Sequence, residues 1–236
     1  MPIIGVRATN NTEITMTEYD IKLTNGHVLI EGGNGRLLVD TGSPLSFHAS
    51  GRLILGGQEF SVPTSLMGTG AEYVSENVHD HVSGLVGMDL INRLGGVRID
   101  IPAGKLTFGC GTDGMRRIPS HTGLGYVFMD MTINGQPVQV ILDTGAPVSY
   151  VSPSLTEGLT PVDRVTDFNP MVPGGTFETP IFEFPASFAG RDFPMRAGHL
   201  PQWMGAAISL LGAKGVVGME ILCRYPVAIV DGSVWV

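Results

Sequence analysis

The sequence predicts a mainly β protein built from two related halves. Of its 236 residues, 33 are glycine and 16 are proline while only 15% are charged, a mixture typical of short strands joined by tight turns. Hydrophobic residues make up 43% of the chain, enough for a substantial core. The chain also matches itself: RLLVDTGSPLSF, residues 36–47, aligns with QVILDTGAPVSY, residues 139–150, at an offset of 103 residues (143 − 40). Composition therefore indicates β structure, and the repeat indicates a duplicated unit.

Two further matching pairs follow in the same order. GLVGMDLINR begins at Gly84 and GVVGMEILCR at Gly215, and GGQEFSVP around Gly57 matches AGRDFPMR around Gly190. Three ordered pairs predict an N-terminal lobe over residues 1–110 and a C-terminal lobe over residues 125–236. The polar, glycine-containing segment 111–124 between them is expected to be the linker.

The local patterns predict strands that end at Asp-Thr-Gly, with little helix. Apolar runs at 37–39 and 140–142 lead directly into the two triplets, as a buried strand does when it ends in a turn. FMDMTINGQPVQVILD predicts a hairpin with its turn at Asn134-Gly135, and a similar turn is expected between Gly32 and Gly35. MDLINR and MEILCR have the length of one- or two-turn helices.

Charge and cysteine content narrow the classes of partner. The net charge of −8, without a run of Lys and Arg, argues against nucleic acid but is compatible with a neutral or polycationic polypeptide. No apolar stretch approaches the roughly 18 residues of a membrane span, and the start lacks the pattern of a signal peptide, which favours a cytoplasmic protein. Cys110 and Cys223 have no metal-site or disulfide spacing and are expected to be buried apolar residues.

The two Asp-Thr-Gly triplets are the main candidates for chemistry. A lone triplet is typical of a turn, because Asp bonds its own backbone and Gly permits positive φ, but two in matching frames are not explained this way. Two carboxylates about 3 Å apart at an effective ε of about 20 repel by roughly 5 kcal/mol, so such a pair holds one proton over a wide pH range. One group can then activate a water while the other acts as an acid. Asp40 and Asp143 are therefore the two candidate carboxylates.

Both motifs resemble those of the pepsin and retropepsin clan of aspartic peptidases. LLVDTGSP and VILDTGAP are each followed by a hydrophobic-hydrophobic-glycine block, LVG at 85–87 and VVG at 216–218, and the resemblance covers Val28 to the C-terminus. It implies a bilobal acid-protease fold, a pseudo-twofold pair of β-barrel-like lobes with short helices. It also implies an endopeptidase that needs no metal or cofactor and whose catalytic pair, Asp40 and Asp143, shares one proton. Such an enzyme binds an extended peptide or protein substrate between its lobes. The single chain would then be functional as a monomer.

The resemblance assigns supporting roles around the two aspartates. Thr41 and Thr144 would cross-brace the two loops through hydroxyl-to-backbone hydrogen bonds. Gly42 and Gly145 would keep the backbone close to the carboxylates. The resemblance also implies that the glycines of the LVG and VVG blocks, Gly87 and Gly218, are packing residues.

The two motifs differ at the residue after Gly. Ser43 is expected to donate a hydrogen bond to ionised Asp40, whereas Ala146 offers Asp143 nothing comparable, so the shared proton should prefer Asp143. Asp-Thr-Gly-Ala is the retropepsin form. Proline follows in both motifs, at residues 44 and 147, which departs from pepsin.

A length difference between the halves predicts a flap in the second. In the first half, 17 residues separate Asp40 from Gly57 (57 − 40). In the second half, 47 residues separate Asp143 from the matching Gly190 (190 − 143). The extra residues lie where a retropepsin protomer has its flap hairpin, and DFNPMVPGGTFETPIFEF has apolar runs on both sides of Pro-Gly-Gly. An ordinary surface loop is the alternative, and GTGAEYV at 68–74, with Tyr73, is a competing flap. The predicted flap residues are Met171, Val172, Pro173, Gly174, Gly175, Thr176 and Phe177.

Other interpretations remain open at this stage. A non-catalytic peptide-binding or dimerisation module with the same fold is the main rival, and a processing enzyme for a single partner is another. His79, Asp80 and His81 could bind a metal, but adjacent residues without a further cluster favour a solvated loop. Trp203 could line a pocket, although a place in the core is favoured.

Overall fold

The computed structural model describes residues 5–9, 12–169, 172 and 175–236. As predicted, this part of the chain is mainly β, with 24 strands, four short α-helices and one 3-10 helix. The first-half strands are β1 (Gly5–Thr9), β2 (Thr12–Asp20), β3 (Lys22–Thr24), β4 (His27–Gly32), β5 (Gly35–Val39), β6 (Phe47–His48), β7 (Arg52–Leu55), β8 (Gln58–Ser61), β9 (Ser65–Leu66), β10 (Thr69–Gly70), β11 (Gly84–Val86), β12 (Val97–Asp100) and β13 (Lys105–Phe108).

The remaining strands follow residue 110. They are β14 (Arg117–Ile118), β15 (Ser120–Gly123), β16 (Tyr126–Ile133), β17 (Gln136–Leu142), β18 (Ser149–Val151), β19 (Asp163–Phe168), β20 (Thr176–Phe188), β21 (Arg191–Gly198), β22 (Gly215–Val217), β23 (Val227–Val230) and β24 (Ser233–Trp235). The helices are α1 (Ala71–Val78), α2 (Met88–Arg93), the 3-10 helix (Pro153–Leu155), α3 (Gln202–Leu210) and α4 (Met219–Leu222).

Two sheets repeat the same strand order, one in each half. The first runs β3-β4-β5-β11-β6, and the second runs β15-β16-β17-β22-β18 before continuing into β21-β20-β19. In each, a hairpin strand, β5 or β17, pairs parallel with the later strand, β11 or β22, which pairs antiparallel with β6 or β18. Because β5 ends at Val39 and β17 at Leu142, each aspartate directly follows the equivalent strand of its own sheet.

The predicted hairpin turns are confirmed. Asn134 and Gly135, between β16 and β17, have φ of 48° and 77°, and positive φ at both positions is what a two-residue type I′ turn requires. In the first half Gly32 pairs with Gly35, so that β4 and β5 are joined by a two-residue turn. The short helices α2 and α4 lie where MDLINR and MEILCR predict them.

A third sheet joins the two ends of the chain. Its order is β1-β2-β13-β12-β23-β24-β14, so that C-terminal strands β23 and β24 continue a sheet begun by N-terminal ones. Segment 111–124, expected as the linker, carries β14 in this sheet and β15 in the second-half sheet.

The extra residues of the second half build a long hairpin. The third repeated block is a hairpin turn in both halves, with Gly57 between β7 and β8 and Gly190 between β20 and β21, at φ of 74° and 75°. Between the second aspartate and that turn, β19 pairs antiparallel with the first part of β20, from Asp163 opposite Ile181 to Phe168 opposite Thr176. This β19–β20 hairpin has no counterpart among the described residues of the first half.

The core is continuous across both halves, and the helices contribute to it unequally. One cluster of buried side chains includes Leu37 and Phe108 from the first half together with Val140 and Phe188 from the second. Helix α1 buries Val74 and Val78, whereas α3 buries none of its residues.

No helix in the described part of the chain has the length and apolarity needed to cross a membrane.

Two expectations of burial are wrong. Trp203, for which a core position was favoured, is 47% exposed, because α3 lies on the surface. Of the two cysteines, Cys110 is buried as expected, but Cys223 is exposed at the C-terminal end of α4.

Candidate active site

The two Asp-Thr-Gly loops meet, and their aspartates are in hydrogen-bond contact. The carboxyl groups of Asp40 and Asp143 hydrogen-bond each other. The backbone of each aspartate is held by an equivalent hydrogen bond. The Asp40 amide donates to the carbonyl of Val86, and the Asp143 amide donates to the carbonyl of Val217, both at 3.0 Å. The later strand of each half therefore holds the aspartate of the same half.

Two threonines brace the loops against each other. The Thr41 amide donates to Oγ1 of Thr144 at 2.9 Å, and the Thr144 amide donates to Oγ1 of Thr41 at 3.0 Å. The hydroxyls donate onward across the interface, from Thr41 to the carbonyl of Leu142 at 2.9 Å and from Thr144 to that of Val39 at 2.7 Å. Both threonines are fully buried, so these four bonds fix the separation of the two carboxyl groups.

Two glycines allow the loops to approach. A Cβ on Gly42 would overlap the carboxyl group of Asp143, and a Cβ on Gly145 would stand 2.6 Å from Cγ of Asp40. Each glycine amide also donates to the aspartate two residues earlier at 2.8 Å, Gly42 to Asp40 and Gly145 to Asp143. Any side chain at either glycine would separate the pair.

The environment favours one shared proton. Burial raises the pKa of Asp143 well above its usual range, and the adjacent Asp40 raises it further. Burial also raises the pKa of Asp40, opposed by its hydrogen bonds from Asp143 and from the backbone amides of Gly42 and Ser43. Both residues nevertheless keep part of their surface accessible, so the pair can be reached from solvent. The pair therefore retains one proton over a wide pH range.

The expected contact from Ser43 to Asp40 is not formed. The Ser43 hydroxyl donates to the carbonyl of Leu45 at 2.8 Å, and it is the Ser43 backbone amide that bonds to Asp40. Because the pKa of both aspartates is raised, the preference of the proton for Asp143 stays a prediction, and the Ser43 hydroxyl does not supply its cause. Ala146 is buried and packs in an apolar cluster with Phe128.

The glycines of the later blocks pack under the loops, as the resemblance implied. A Cβ on Gly87 would stand 2.5 Å from the carbonyl oxygen of Leu45, and one on Gly218 would overlap the carbonyl oxygen of Asp143. Sequence reasoning missed the partners that hold these glycines. Ser46 accepts the Gly87 amide at 2.8 Å and Ser149 accepts the Gly218 amide at 3.5 Å. The sequence did contain a signal for these partners, because Ser46 in PLSF and Ser149 in PVSY occupy equivalent positions of the repeat.

Each loop also contacts a turn of the opposite half through its proline. The Asn25-Gly26 turn packs against Pro147 of the second loop, where a Cβ on Gly26 would stand 2.6 Å from the proline Cβ. The Leu124-Gly125 turn packs in the same way against Pro44 of the first. The two prolines that depart from pepsin therefore serve the contact between the halves.

The β19–β20 hairpin reaches from the second half to the first. On its own half, Asp167 accepts a hydrogen bond from the Tyr150 hydroxyl, and the Phe177 and Tyr150 rings lie 5.7 Å apart. On the other half, the Phe168 ring lies 5.7 Å from His27 and 6.3 Å from Tyr73.

Four of the predicted flap residues are described and lie at the tip of this hairpin: Val172, Gly175, Thr176 and Phe177. The other three, Met171, Pro173 and Gly174, lie outside the described residues. Tyr73, the marker of the competing flap, is on α1, and its hydroxyl lies 2.7 Å from where a Cβ on Gly175 would stand. The two flap candidates of the sequence thus meet at one contact.

Of the three residues considered as metal ligands, Asp80 forms ion pairs instead. Asp80 forms ion pairs with Lys22 at 2.6 Å and Arg36 at 2.5 Å, which lower its pKa to about 2. Its neighbours His79 and His81 are exposed. Within the residues that the structure describes, no three potential ligands come together as a metal site.

No protein-family model matches the chain, and no curated protein shows significant similarity to it. Function is therefore inferred from the site itself. Of the predicted residues, Asp40, Thr41 and Gly42 come together with Asp143, Thr144 and Gly145 at the junction of the two halves.

Proposed function

We propose that the protein is a single-chain aspartic endopeptidase with a bilobal acid-protease fold, of the pepsin and retropepsin kind. The observation that carries this proposal is the hydrogen-bonded pair of Asp40 and Asp143 at the centre of reciprocal threonine bonds. A purely structural role would not require two carboxyl groups to be buried against each other, because like charges at this distance repel strongly. Since both aspartates belong to one chain, a monomer would be active.

The proposed reaction needs only the pair and a water. Ionised Asp40 takes a proton from a water whose oxygen attacks the peptide carbonyl carbon, while protonated Asp143 hydrogen-bonds the carbonyl oxygen. The tetrahedral intermediate then breaks at its C–N bond as the nitrogen receives a proton from the pair. The aspartate environments support these roles, because burial raises the pKa of both carboxyl groups and the adjacent Asp40 raises that of Asp143 further.

The β19–β20 hairpin would act as the flap. Its contacts with Tyr150 of one half and with His27 and Tyr73 of the other support this role, because they place it across the junction of the two halves. An extended peptide beneath it could form backbone hydrogen bonds like those of an added strand. A closed hairpin would also exclude bulk water from the reacting bond.

The test is cleavage of an unfolded protein mixture, with the cut sites mapped by mass spectrometry. The wild type should cut it, whereas Asp40→Asn and Asp143→Asn should each abolish cutting while keeping the circular dichroism of the folded protein. A peptide with a central statine hydroxyl should bind the wild type and inhibit it. If the wild type binds peptides but never cuts them, the non-catalytic peptide-binding module is the better description.

A further inference from the structure

A cavity of about 510 Å³ lies between the β19–β20 hairpin and the first half. Its walls come from three places: residues 165–168 and 176 of the hairpin, Pro147 and Val148 beside the second catalytic loop, and Asn25, His27, Asn77 and His79 of the first half. We call it the side cavity. Since Pro147 is only four residues from Asp143, the side cavity flanks the proposed peptide-binding groove.

The side cavity contains a carboxylate without a cationic partner. Asp167 is half-buried, and its two oxygens accept hydrogen bonds from the Tyr150 hydroxyl and from the Phe168 amide. In the described part of the chain, no Lys or Arg forms an ion pair with it, although other half-buried acids such as Asp80 are paired. A partly desolvated carboxylate is stabilised by a cation that supplies the missing charge.

A buried histidine adds an unused polar atom. His27 is 2% exposed, and its Nδ1 has no hydrogen-bond partner in the described part of the chain. Burial lowers the pKa of this imidazole, and the neutral ring can accept a hydrogen bond at Nδ1. Buried polar atoms without a partner are rare in folded proteins, so the unpaired Nδ1 marks this wall of the side cavity as short of hydrogen-bond donors.

Two asparagines present acceptors as well. The Asn25 side-chain nitrogen donates to the carbonyl of Val78 at 2.9 Å, and that of Asn77 donates to the carbonyl of Tyr73 at 2.8 Å. These bonds use the donor ends of both amides, and no described hydrogen bond uses either Oδ1. Together with Asp167 and His27, the asparagines give the side cavity an excess of acceptors.

The repeat-related position beside the first loop has a different polarity. There the equivalent turn is Leu124-Gly125, Leu124 is 77% exposed, and Leu45 beside Pro44 is 51% exposed. The position beside the second loop is therefore polar and the one beside the first loop is apolar, although their backbones follow one repeat.

We propose that the side cavity binds a basic side chain, lysine or arginine, of the peptide substrate. An ammonium or guanidinium group offers only donors and carries the charge that Asp167 lacks. The net charge of −8 would also attract basic polypeptides. This assignment rests on the proposed peptidase function, because it treats the side cavity as a subsite of the same groove.

The first test is cleavage of a randomised peptide library. The wild type should show Lys and Arg enriched at one fixed distance from the cut, on one side only. Asp167→Asn, which keeps an acceptor for Tyr150, should lose that enrichment but still cut the library. Tyr150→Phe is the control, because it removes the hydrogen bond from Tyr150 to Asp167 and keeps the charge of Asp167, and it should retain the enrichment. Cutting without any basic preference would overturn the subsite but leave the peptidase standing.

The second test does not depend on catalysis. Binding to Asp143→Asn is measured by calorimetry for a lysine-containing peptide and for its norleucine counterpart. The lysine peptide should bind about tenfold more tightly, as expected for hydrogen bonds to a charged group, and the difference should vanish in Asp143→Asn combined with Asp167→Asn. Equal affinities, or a difference that survives the loss of Asp167, would overturn the inference even if the protein cuts nothing.

Discussion

Gly145 and Asp40 come from opposite halves of the chain, yet a Cβ atom added to Gly145 would stand 2.6 Å from Cγ of Asp40. The reciprocal relationship holds for Gly42 and Asp143. Neither loop can shift by itself to make room for a side chain at these glycines, because the reciprocal threonine bonds hold both loops in place. The carboxyl pair is therefore defined by the contact between the halves as much as by either loop.

Gly145→Ala should lower kcat/KM by about 100-fold, the effect expected when a reacting group is displaced by about 1 Å. Steady-state cleavage of one peptide substrate measures it. The control is Gly205→Ala on helix α3, where an added Cβ meets nothing within 4 Å, and which should change kcat/KM little. Similar losses in both variants would mean that the approach of Gly145 to Asp40 is not what matters.

Asp143→Asn should stabilise the protein at alkaline pH. The folded-state pKa of Asp143 is raised by burial and by Asp40, so the wild type holds this proton more tightly when folded. The resulting stability is fully present below the unfolded-state pKa of about 3.9 and is lost as pH rises through the raised value. The Asn variant cannot ionise there, so its melting temperature should exceed that of the wild type at pH 8 but not at pH 4. An equal difference at both pH values would contradict the raised pKa.

The pH dependence of hydrolysis should have its upper limb set by Asp143. Activity should fall as pH rises through the raised pKa, because a doubly ionised pair has no acid left to protonate the leaving nitrogen. Ser43→Ala should leave the profile unchanged, since the Ser43 hydroxyl donates to Leu45 and not to Asp40. A shifted acid limb in Ser43→Ala would show that the hydroxyl bonds Asp40 in the working enzyme.

Thr144→Val should destabilise the fold by about 2 to 5 kcal/mol. The substitution preserves shape but leaves the Thr41 amide and the Val39 carbonyl buried without partners, and each unpaired group costs roughly 1 to 3 kcal/mol. Thr144→Ser keeps the hydroxyl and loses one methyl group, so it should cost only about 1 kcal/mol. Urea unfolding compares the two, and similar losses would assign the effect to packing instead of hydrogen bonding.

The features that could be predicted from the sequence are those carried by short patterns. The apolar strands entering Asp-Thr-Gly, the Asn134-Gly135 turn and the repeated later blocks each depend on residues close together in the chain. The pairing of Asp40 with Asp143 was predictable as well, but only through the resemblance to the pepsin and retropepsin clan, which implies that the two loops meet.

What escaped prediction depends on side chains that are distant in sequence. The Tyr150 hydroxyl reaches Asp167, and Phe168 reaches His27, only because the β19–β20 hairpin folds back across the halves. The Ser43 hydroxyl points to the nearby Leu45 carbonyl, and sequence spacing alone does not predict which of the nearby acceptors it bonds. Trp203 is exposed because α3 buries none of its residues, unlike the helix α1 that precedes the matching block.

The contact between Gly175 and Tyr73 allows the hairpin to be tested through its own packing. Gly175 has φ of +78°, and an added Cβ would stand 2.7 Å from the Tyr73 hydroxyl but 3.6 Å from the next ring atom. Gly175→Ala should therefore push the hairpin tip away from α1 and lower kcat/KM. In the double variant with Tyr73→Phe the hydroxyl is gone, so part of the activity should return, although the backbone strain of alanine at positive φ remains. If the hairpin is an ordinary surface loop, kcat/KM will be insensitive to Gly175→Ala. If Tyr73 acts on substrate directly, Tyr73→Phe will be the more damaging single change, and the double variant will be worse than either.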